Sequence, residues 1–263
     1  MEYLKTLVLG IVQGLCEFLP VSSSGHLSVF QQLFGMEEAG LLLDTMLHIG
    51  TLMAVFVVLW PDIWSMLKKP FSKEVLCLII ATVPAVIFTL LFGDFFDDIF
   101  AGRFLGISFL LTSAILFASG KVKREGRNEI TLRDSLIMGV WQAVAILPGV
   151  SRSGSTIAGG LFAGLNKSKA ARFSFLMSIP AILGSLVFQV KDIVSGEALG
   201  AVGVFPMLLG VAAAAVSGYF AIRFMLRILE KHSLKPFAVY TLILGLIVLL
   251  DQFFFNLVFV PMF

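Results

Sequence analysis

The 263-residue chain has a mean hydropathy of +0.98, with 58% hydrophobic and only 14% charged residues. A soluble globular chain carries about 25% charge, so this composition excludes an ordinary water-surrounded fold. The 26 phenylalanines against three tyrosines also favour lipid as the solvent. From a net charge of +2 no nucleic-acid partner follows.

The N-terminus, Met1-Glu-Tyr-Leu-Lys5, opens an apolar run that ends in Gln13, Glu17 and Pro20. It lacks a small-x-small cleavage site and is not read as a removable signal peptide. A membrane-crossing helix needs about 20 mostly apolar residues. Residues 3–19 do not meet that test, because Pro20-Val-Ser-Ser-Ser-Gly-His26 interrupts them before a second short apolar stretch, 27–35. Spanning helices are predicted at 43–60, 75–92 and 104–120. The interruption then recurs: 135–147, Pro148-Gly-Val-Ser-Arg-Ser-Gly-Ser-Thr156, and 157–165. Further spans are predicted at 173–190, 204–222 and 237–255. Proline, glycine and serine at mid-bilayer are tolerable only where protein shields the backbone or a wet cavity receives it. Both interrupted regions are therefore read as re-entrant helix-loop-helix hairpins. The expected fold is an all-α polytopic membrane protein, one membrane domain over 1–263, with six spanning helices and two such hairpins.

The hairpins repeat each other at a spacing of 129 residues. Gly10 pairs with Gly139, Gln13 with Gln142, Val21 with Val150, Ser22 with Ser151, Ser24 with Ser153 and Gly25 with Gly154. Repeat 1 covers about 1–120 and repeat 2 about 135–255. Each contains one hairpin and three crossings. An odd number of crossings makes the second copy enter from the opposite face, an inverted-topology repeat that places both polar elbows near the midplane.

Most of the 19 basic residues fall on the side opposite the N-terminus: Lys68, Lys69, Lys73, Lys121, Lys123, Arg124, Arg127, Arg133, Lys167, Lys169, Arg172, Arg223, Arg227, Lys231 and Lys235. The N-terminal side holds Lys5, Arg103 and Lys191, with acidic Glu37, Glu38, Asp94, Asp97 and Asp98 near its loops. By the positive-inside rule the basic side is cytoplasmic and both termini face outward. Trp60 and Trp64 fit an aromatic belt at the cytoplasmic edge, and the phenylalanines at 95–96 and 253–255 are expected to face lipid or the interface.

An ionisable group inside a bilayer costs about 2.5–3.5 kcal/mol on insertion scales and is a functional candidate by default. Glu17, His26 and Arg152 all lie in or beside the elbows. Arg152 suits a phosphate, because its guanidinium fork matches phosphate oxygens and keeps its charge. The half-helix that follows, beginning near Ser153, would aim its N-terminal amides at the same anion. A structural Arg152–Glu17 pair is the plainer reading of both residues. Glu17 can bind a hard cation or act as a base. Gln13, one helical turn earlier on the same face, can orient water or offer an oxygen to a cation. His26 lies close enough in sequence to Ser22, Ser23 and Ser24 to serve a hydroxyl nucleophile, or it packs as a hydrogen-bonded histidine. His48 is read as a packing residue and His232 as a surface one. Cys16 and Cys77 show neither a disulfide framework nor metal-ligand spacing, and each is read as a small buried side chain. Gly160 and Gly164 have the spacing of close helix packing.

Gln13-Gly-Leu-Cys-Glu17-Phe-Leu-Pro-Val-Ser-Ser-Ser-Gly-His26 and Pro148-Gly-Val-Ser-Arg-Ser-Gly-Ser-Thr156 resemble the two signature motifs of the undecaprenyl-diphosphate phosphatase family of the bacitracin-resistance type. Leu47-His-Ile-Gly-Thr51, Ser178-Ile-Pro-Ala-Ile182, the length and the order of hydropathy resemble it too, so the likeness covers essentially the whole chain. The resemblance implies a bacterial cell-membrane enzyme that hydrolyses undecaprenyl diphosphate to the monophosphate and phosphate, recycling the lipid carrier of cell-wall synthesis. It implies a divalent cation, Mg²⁺ or Ca²⁺, with Glu17 as its ligand. Catalytic roles carry over to Glu17, Ser23, His26 and Arg152, and diphosphate contacts to Ser151, Ser153 and Thr156. Gln13, Ser22 and Ser24 join them as binding candidates from their place in the elbow. The family's first motif opens with glutamate or glutamine; here Gln13 supplies no second carboxylate.

Two mechanisms stay open at this point: Ser23 attacks phosphorus, with His26 or Glu17 handling its proton, or an activated water attacks directly. A flippase or anion transporter could use the same arginine and serines without hydrolysis. A purely structural membrane protein would leave buried Glu17, His26 and Arg152 without a purpose. Membrane lipids are the expected surroundings, a homodimer stays open, and the site is expected to open outward.

Overall fold

The computed structural model describes residues 1–36, 40–100, 103–122, 126–194 and 202–259, and the side chains of 40–41, 93–100 and 188–194 lie outside the description. Glu37, Glu38, Lys123 and Arg124 therefore lie outside the described residues. So do the side chains of Asp94, Asp97, Asp98, Lys191 and the phenylalanines at 95–96. The described chain is helical, without a strand. Helices α1 (Glu2–Phe18) and α2 (Ser23–Phe34) form the first hairpin, followed by α3 (Gly40–Val58), α4 (Trp60–Lys68), α5 (Lys73–Phe100) and α6 (Leu105–Ser119). Helices α7 (Leu132–Val144) and α8 (Arg152–Phe162) form the second, followed by α9 (Lys167–Val194), α10 (Val204–Lys231) and α11 (Lys235–Leu250). A π-helical turn, Asp251–Phe255, extends α11.

Among the described residues, Lys73–Phe92, Lys167–Val187, Val204–Lys231 and Lys235–Phe255 are long and apolar enough to cross a membrane. Helix α3 qualifies only together with α4, which turns from it by 77°. The predicted 43–60 span thus ends at Leu59, and the Trp60/Trp64 pair belongs to a helix that turns aside. The predicted 104–120 span is a 15-residue apolar helix, α6, below that length. Of the six predicted spans, four stand as full-length helices, one as a bent pair and one as a short helix. The long helices also outrun their apolar windows: α10 carries Arg223, Arg227 and Lys231, and α9 carries Lys167, Lys169 and Arg172. Backbone hydrogen bonding does not stop where hydrophobicity does, and long basic side chains reach water from a helix end.

Both interrupted regions fold as helix–elbow–helix, and one device starts each second helix. Ser22 Oγ accepts the Gly25 N–H at 3.2 Å, and Ser151 Oγ accepts the Gly154 N–H at 3.0 Å. Each serine satisfies an amide that the first helical turn leaves unpaired. That cap starts α8 at Arg152, inside the polar motif rather than after it. Helix α7 has a full capping box between Thr131 and Asp134, and Asp134 also receives Arg127 at 2.9 Å.

Helix α1 lies against α10, α7 against α5, and α6 against α11. The approach is close at small residues: a Cβ on Gly10 would sit 2.2 Å from the Gly210 carbonyl oxygen, and one on Gly139 would sit 2.6 Å from that of Ala81. Gly160 packs tightly on Ala170, as its spacing predicts. Gly164 does not: it has φ +92° in the turn after α8 and faces only the Arg127 side chain. That position needs glycine to end the helix. Behind the elbows, Phe18 meets Phe175 edge-on at 5.5 Å, tying the end of α1 to α9 in the main apolar core.

Candidate active site

The two elbows touch. Ser153 Oγ donates to the Leu19 carbonyl at 3.0 Å, and Ser24 Oγ accepts the Gly149 N–H at 3.4 Å. Leu19–Pro20 and Pro148–Gly149 are equivalent peptide groups at the 129-residue spacing. Each elbow's serine thus bonds the matching peptide of the other. Pro20 has no N–H to give, which is why the carbonyl is used on that side.

At this meeting point Glu17 is the hub. Its Oε1 accepts Arg152 Nη2 at 2.6 Å, and its Oε2 accepts the Ser23 hydroxyl at 2.6 Å and Gln13 Nε2 at 3.1 Å. Helix α1 presents Gln13 and Glu17 one turn apart, whereas Ser23 opens α2 and Arg152 opens α8. Arg152 Nη1 also donates to the Ser174 carbonyl of α9 at 3.1 Å. Glu17 is 7% exposed and Arg152 16%, so the pair is largely removed from water yet open on one side. That open side is a cavity of about 440 Å³, lined by Glu17, Ser23, Ser24, Thr45, His48 and Arg152 together with residues 145–148 and the α9 face at Ala181, Ile182 and Ser185. A hydroxyl held on a carboxylate beside a guanidinium, facing an open cavity, is equipment suited to attack on a phosphorus.

The other sequence candidates lie behind the cavity wall. Ser22 and Ser151 cap helices, and Ser153 binds the opposite elbow. Thr156 is fully buried, donates to the Arg152 carbonyl at 2.8 Å and meets Ser174 Oγ at 2.6 Å. Gln13 is fully buried too and reaches the site only through Glu17. His26 is not brought to Ser23. Its Nδ1 bonds the Ser22 carbonyl and its Nε2 the Tyr240 hydroxyl, both at 2.7 Å.

His48, read from sequence as a packing residue, instead lines the cavity with Nε2 3.7 Å from Glu17 Oε2. Its Nδ1 donates to the Asp44 carbonyl at 2.7 Å, which fixes the direction of Nε2. Thr45, Ser174 and Tyr240 were not singled out by any motif. For Thr45 and His48 a signal existed, since they lie three residues apart on one face of α3. For Ser174 and Tyr240 nothing local marks the contact.

The model of the family described as "Bacitracin resistance protein BacA" matches residues 6–247. The chain is 46% identical over 256 residues to "Undecaprenyl-diphosphatase 3" of Bacillus cereus, covering 96% of this chain and 98% of that one. It is 45% identical over 256 residues to "Undecaprenyl-diphosphatase" of Carboxydothermus hydrogenoformans, with the same coverage. A protein of that name from Halothermothrix orenii is 39% identical over 255 residues, 95% of this chain and 98% of its own. With a helical membrane architecture, both signature motifs meeting at one cavity, and relatives matched nearly end to end, this chain belongs to the bacitracin resistance protein BacA family.

Proposed function

We propose that the chain is a membrane hydrolase that cleaves undecaprenyl diphosphate to undecaprenyl phosphate and phosphate, returning the lipid carrier to cell-wall synthesis. The names of its relatives support the substrate. The observation that carries the reading is the Ser23 hydroxyl held 2.6 Å from Glu17 Oε2, with Arg152 on the other carboxylate oxygen and all three facing the cavity.

In the reaction Ser23 Oγ forms a bond to the terminal phosphorus, and its proton passes to Glu17 Oε2. The bond from that phosphorus to the bridging oxygen breaks, releasing undecaprenyl phosphate. Water then cleaves the phosphoserine: Glu17 returns its proton to Oγ, and both hydrogens of the water leave with the phosphate. Phosphoryl transfer depends mostly on position and charge. Arg152 supplies the charge through its remaining N–H groups, and protonation of Glu17 weakens its hold on Arg152 as the phosphate charge builds. Glu17, at hydrogen-bond distance, takes the proton in place of His26.

The divalent cation implied by the resemblance has hard oxygen donors to meet: Glu17, and Gln13 Oε1, which is buried without a hydrogen-bond partner. Among the described residues no group of three or more His, Cys, Asp or Glu could hold it. Diphosphate oxygens would complete its shell, as is usual for Mg²⁺. When bound there, the cation neutralises phosphate charge.

The proposed orientation has the basic loops cytoplasmic, both termini outward and the cavity open to the outside. It is supported by the cavity lining, which uses the early part of α3 and the later part of α9, the halves nearer the N-terminal side. The inverted repeat is supported by exchanged contacts. Gly10 packs on residue 210 and Gly139 on residue 81, and both pairs are related by the spacing that relates the motifs. The exposed apolar faces, such as Val83, Val86, Ile87, Leu90 and Leu91 of α5, are proposed to meet membrane lipid.

The test is phosphate release from the detergent-solubilised chain given undecaprenyl diphosphate and Mg²⁺ or Ca²⁺. A transporter without hydrolysis releases none. Ser23→Ala is expected to lower release by about a thousandfold or more, and acid quenching of the parent to trap a phosphoserine at Ser23. Near-normal turnover by Ser23→Ala would hand the attack to water.

A further inference from the structure

His26 has neither ring nitrogen free for the reaction, and its contacts lead outward to a residue that no motif includes. A carbonyl oxygen can only accept, so the bond to Ser22 O requires the proton on Nδ1. Nε2 of the neutral ring then accepts the O–H of Tyr240, 2.7 Å away on α11. The two rings stack at 5.6 Å and 13°, and Phe109 closes the other side edge-on at 5.5 Å.

What the histidine holds is unusual. Ser22 has φ +74°, one of two non-glycine residues with positive φ among the described residues. That conformation is strained for a side chain with a Cβ and persists only where surrounding bonds over-determine it. Ser22 is held through its carbonyl and its hydroxyl: its carbonyl takes the His26 N–H at 3.2 Å and Nδ1–H at 2.7 Å, and its Oγ takes the Gly25 N–H at 3.2 Å. The next residue is Ser23. The direction of the Ser22–Ser23 peptide sets where the Ser23 hydroxyl points.

The second hairpin is an internal control. Its capping serine, Ser151, has φ −69° and carries no such strain. The residue equivalent to His26 there is Ser155. The imidazole is present only where the elbow backbone is strained.

We propose that Tyr240 is a positioning residue for the hydrolysis, resting on the reading of the chain as a phosphatase. Its hydroxyl, donating to Nε2, joins the Ser22 carbonyl in holding His26 in place as the Nδ1–H tautomer, which holds Ser22 at its positive φ and aims Ser23 at Glu17. Without that hydroxyl only the Ser22 carbonyl still opposes the Nε2–H tautomer, which turns a lone pair on Nδ1 against that carbonyl.

Tyr240→Phe keeps the ring and its packing and removes only the oxygen. It is expected to lower kcat about ten- to hundredfold, the usual cost of losing an outer hydrogen bond that orients a reacting group. KM should stay within about twofold and the melting temperature should hold, because nothing touching substrate or core has changed. In protein with nitrogen-15-labelled histidine, the His26 ring should show the Nδ1–H tautomer in the parent and shift toward Nε2–H in the variant. An unchanged kcat overturns the proposal, as does a loss confined to KM, a matching loss of thermal stability, or an unshifted tautomer. A parent chain that releases no phosphate sinks the hydrolytic reading, while the tautomer measurement still decides what Tyr240 does to His26.

Discussion

Glu17→Gln lowers phosphate release by at least about a thousandfold while leaving the chain folded. Three effects combine. The Ser23 proton loses its acceptor, a general-base contribution of about 10²–10⁴ in rate. Arg152 loses the anionic partner at 2.6 Å that holds its guanidinium toward the cavity. A neutral amide also removes the charge facing His48 Nε2 at 3.7 Å. Glutamine fills the same space, so no cavity opens behind it. Breaking one side of a buried ion pair costs about 3–5 kcal/mol. Here the Arg152 head group borders the cavity, where water can approach, so the lower end of that range is expected. Phosphate release and thermal melting in detergent measure the two effects separately. Activity within tenfold of the parent would remove Glu17 from the role of base. A comparable loss in melting and activity would make the Glu17–Arg152 pair structural alone.

Gly10→Ala is expected to damage the fold out of proportion to its size. The added carbon would lie 2.2 Å from the Gly210 carbonyl oxygen and 2.9 Å from its carbon, both backbone atoms that no rotamer change can move. Helices α1 and α10 must separate or α1 must tilt, at a cost of about 1–3 kcal/mol or more. Because α1 carries Gln13 and Glu17, the same shift disturbs the site. Gly139→Ala, 2.6 Å from the Ala81 carbonyl oxygen, is expected to do the same to α7 against α5. Gly184→Ala is the control: it lies in α9 with nothing within 4 Å of its added carbon. It should be neutral or stabilising by about 0.5–1 kcal/mol, the helix preference of alanine over glycine. Melting temperatures of the three variants check the order. Equal stability of Gly10→Ala and Gly184→Ala would contradict the close contact.

Much of this was legible along the chain. Hydropathy marks the helices because lipid offers the backbone no hydrogen-bond partners, and an apolar run must therefore coil on itself. The elbows stood out for the same reason, since Pro20 and Pro148 with their serines cannot be lipid-exposed. The match of Ser22 with Ser151 and Gly25 with Gly154 anticipated a shared fold, which the structure supplies as the same serine-to-glycine cap bond in both hairpins. Boundaries were less legible. Arg223 and Lys231 lie on α10, beyond its apolar window, because hydropathy tracks the bilayer and not the hydrogen-bonded helix. Gly164 was read by its spacing, and only its backbone angle showed that it ends a helix.

For the site, the chemistry proposed for Glu17 and Arg152 was legible because charge inside a membrane is costly and marks its own position, and that proposed for Ser23 came from the motif's resemblance to the family. Which of the surrounding polar groups face the cavity was decided by tertiary structure alone. Ser22, Ser151, Ser153 and Thr156 look as suited to phosphate as Ser23 or Ser24, yet their hydroxyls are spent on caps, carbonyls and the opposite elbow. His26 and His48 exchanged places for a similar reason. The groups their Nε2 atoms face are Tyr240, far off in sequence, and Glu17, one elbow away. A sequence lists donors and acceptors and the segments that carry them. The pairing of those groups is a matter of distance, and distance exists only once the helices have packed.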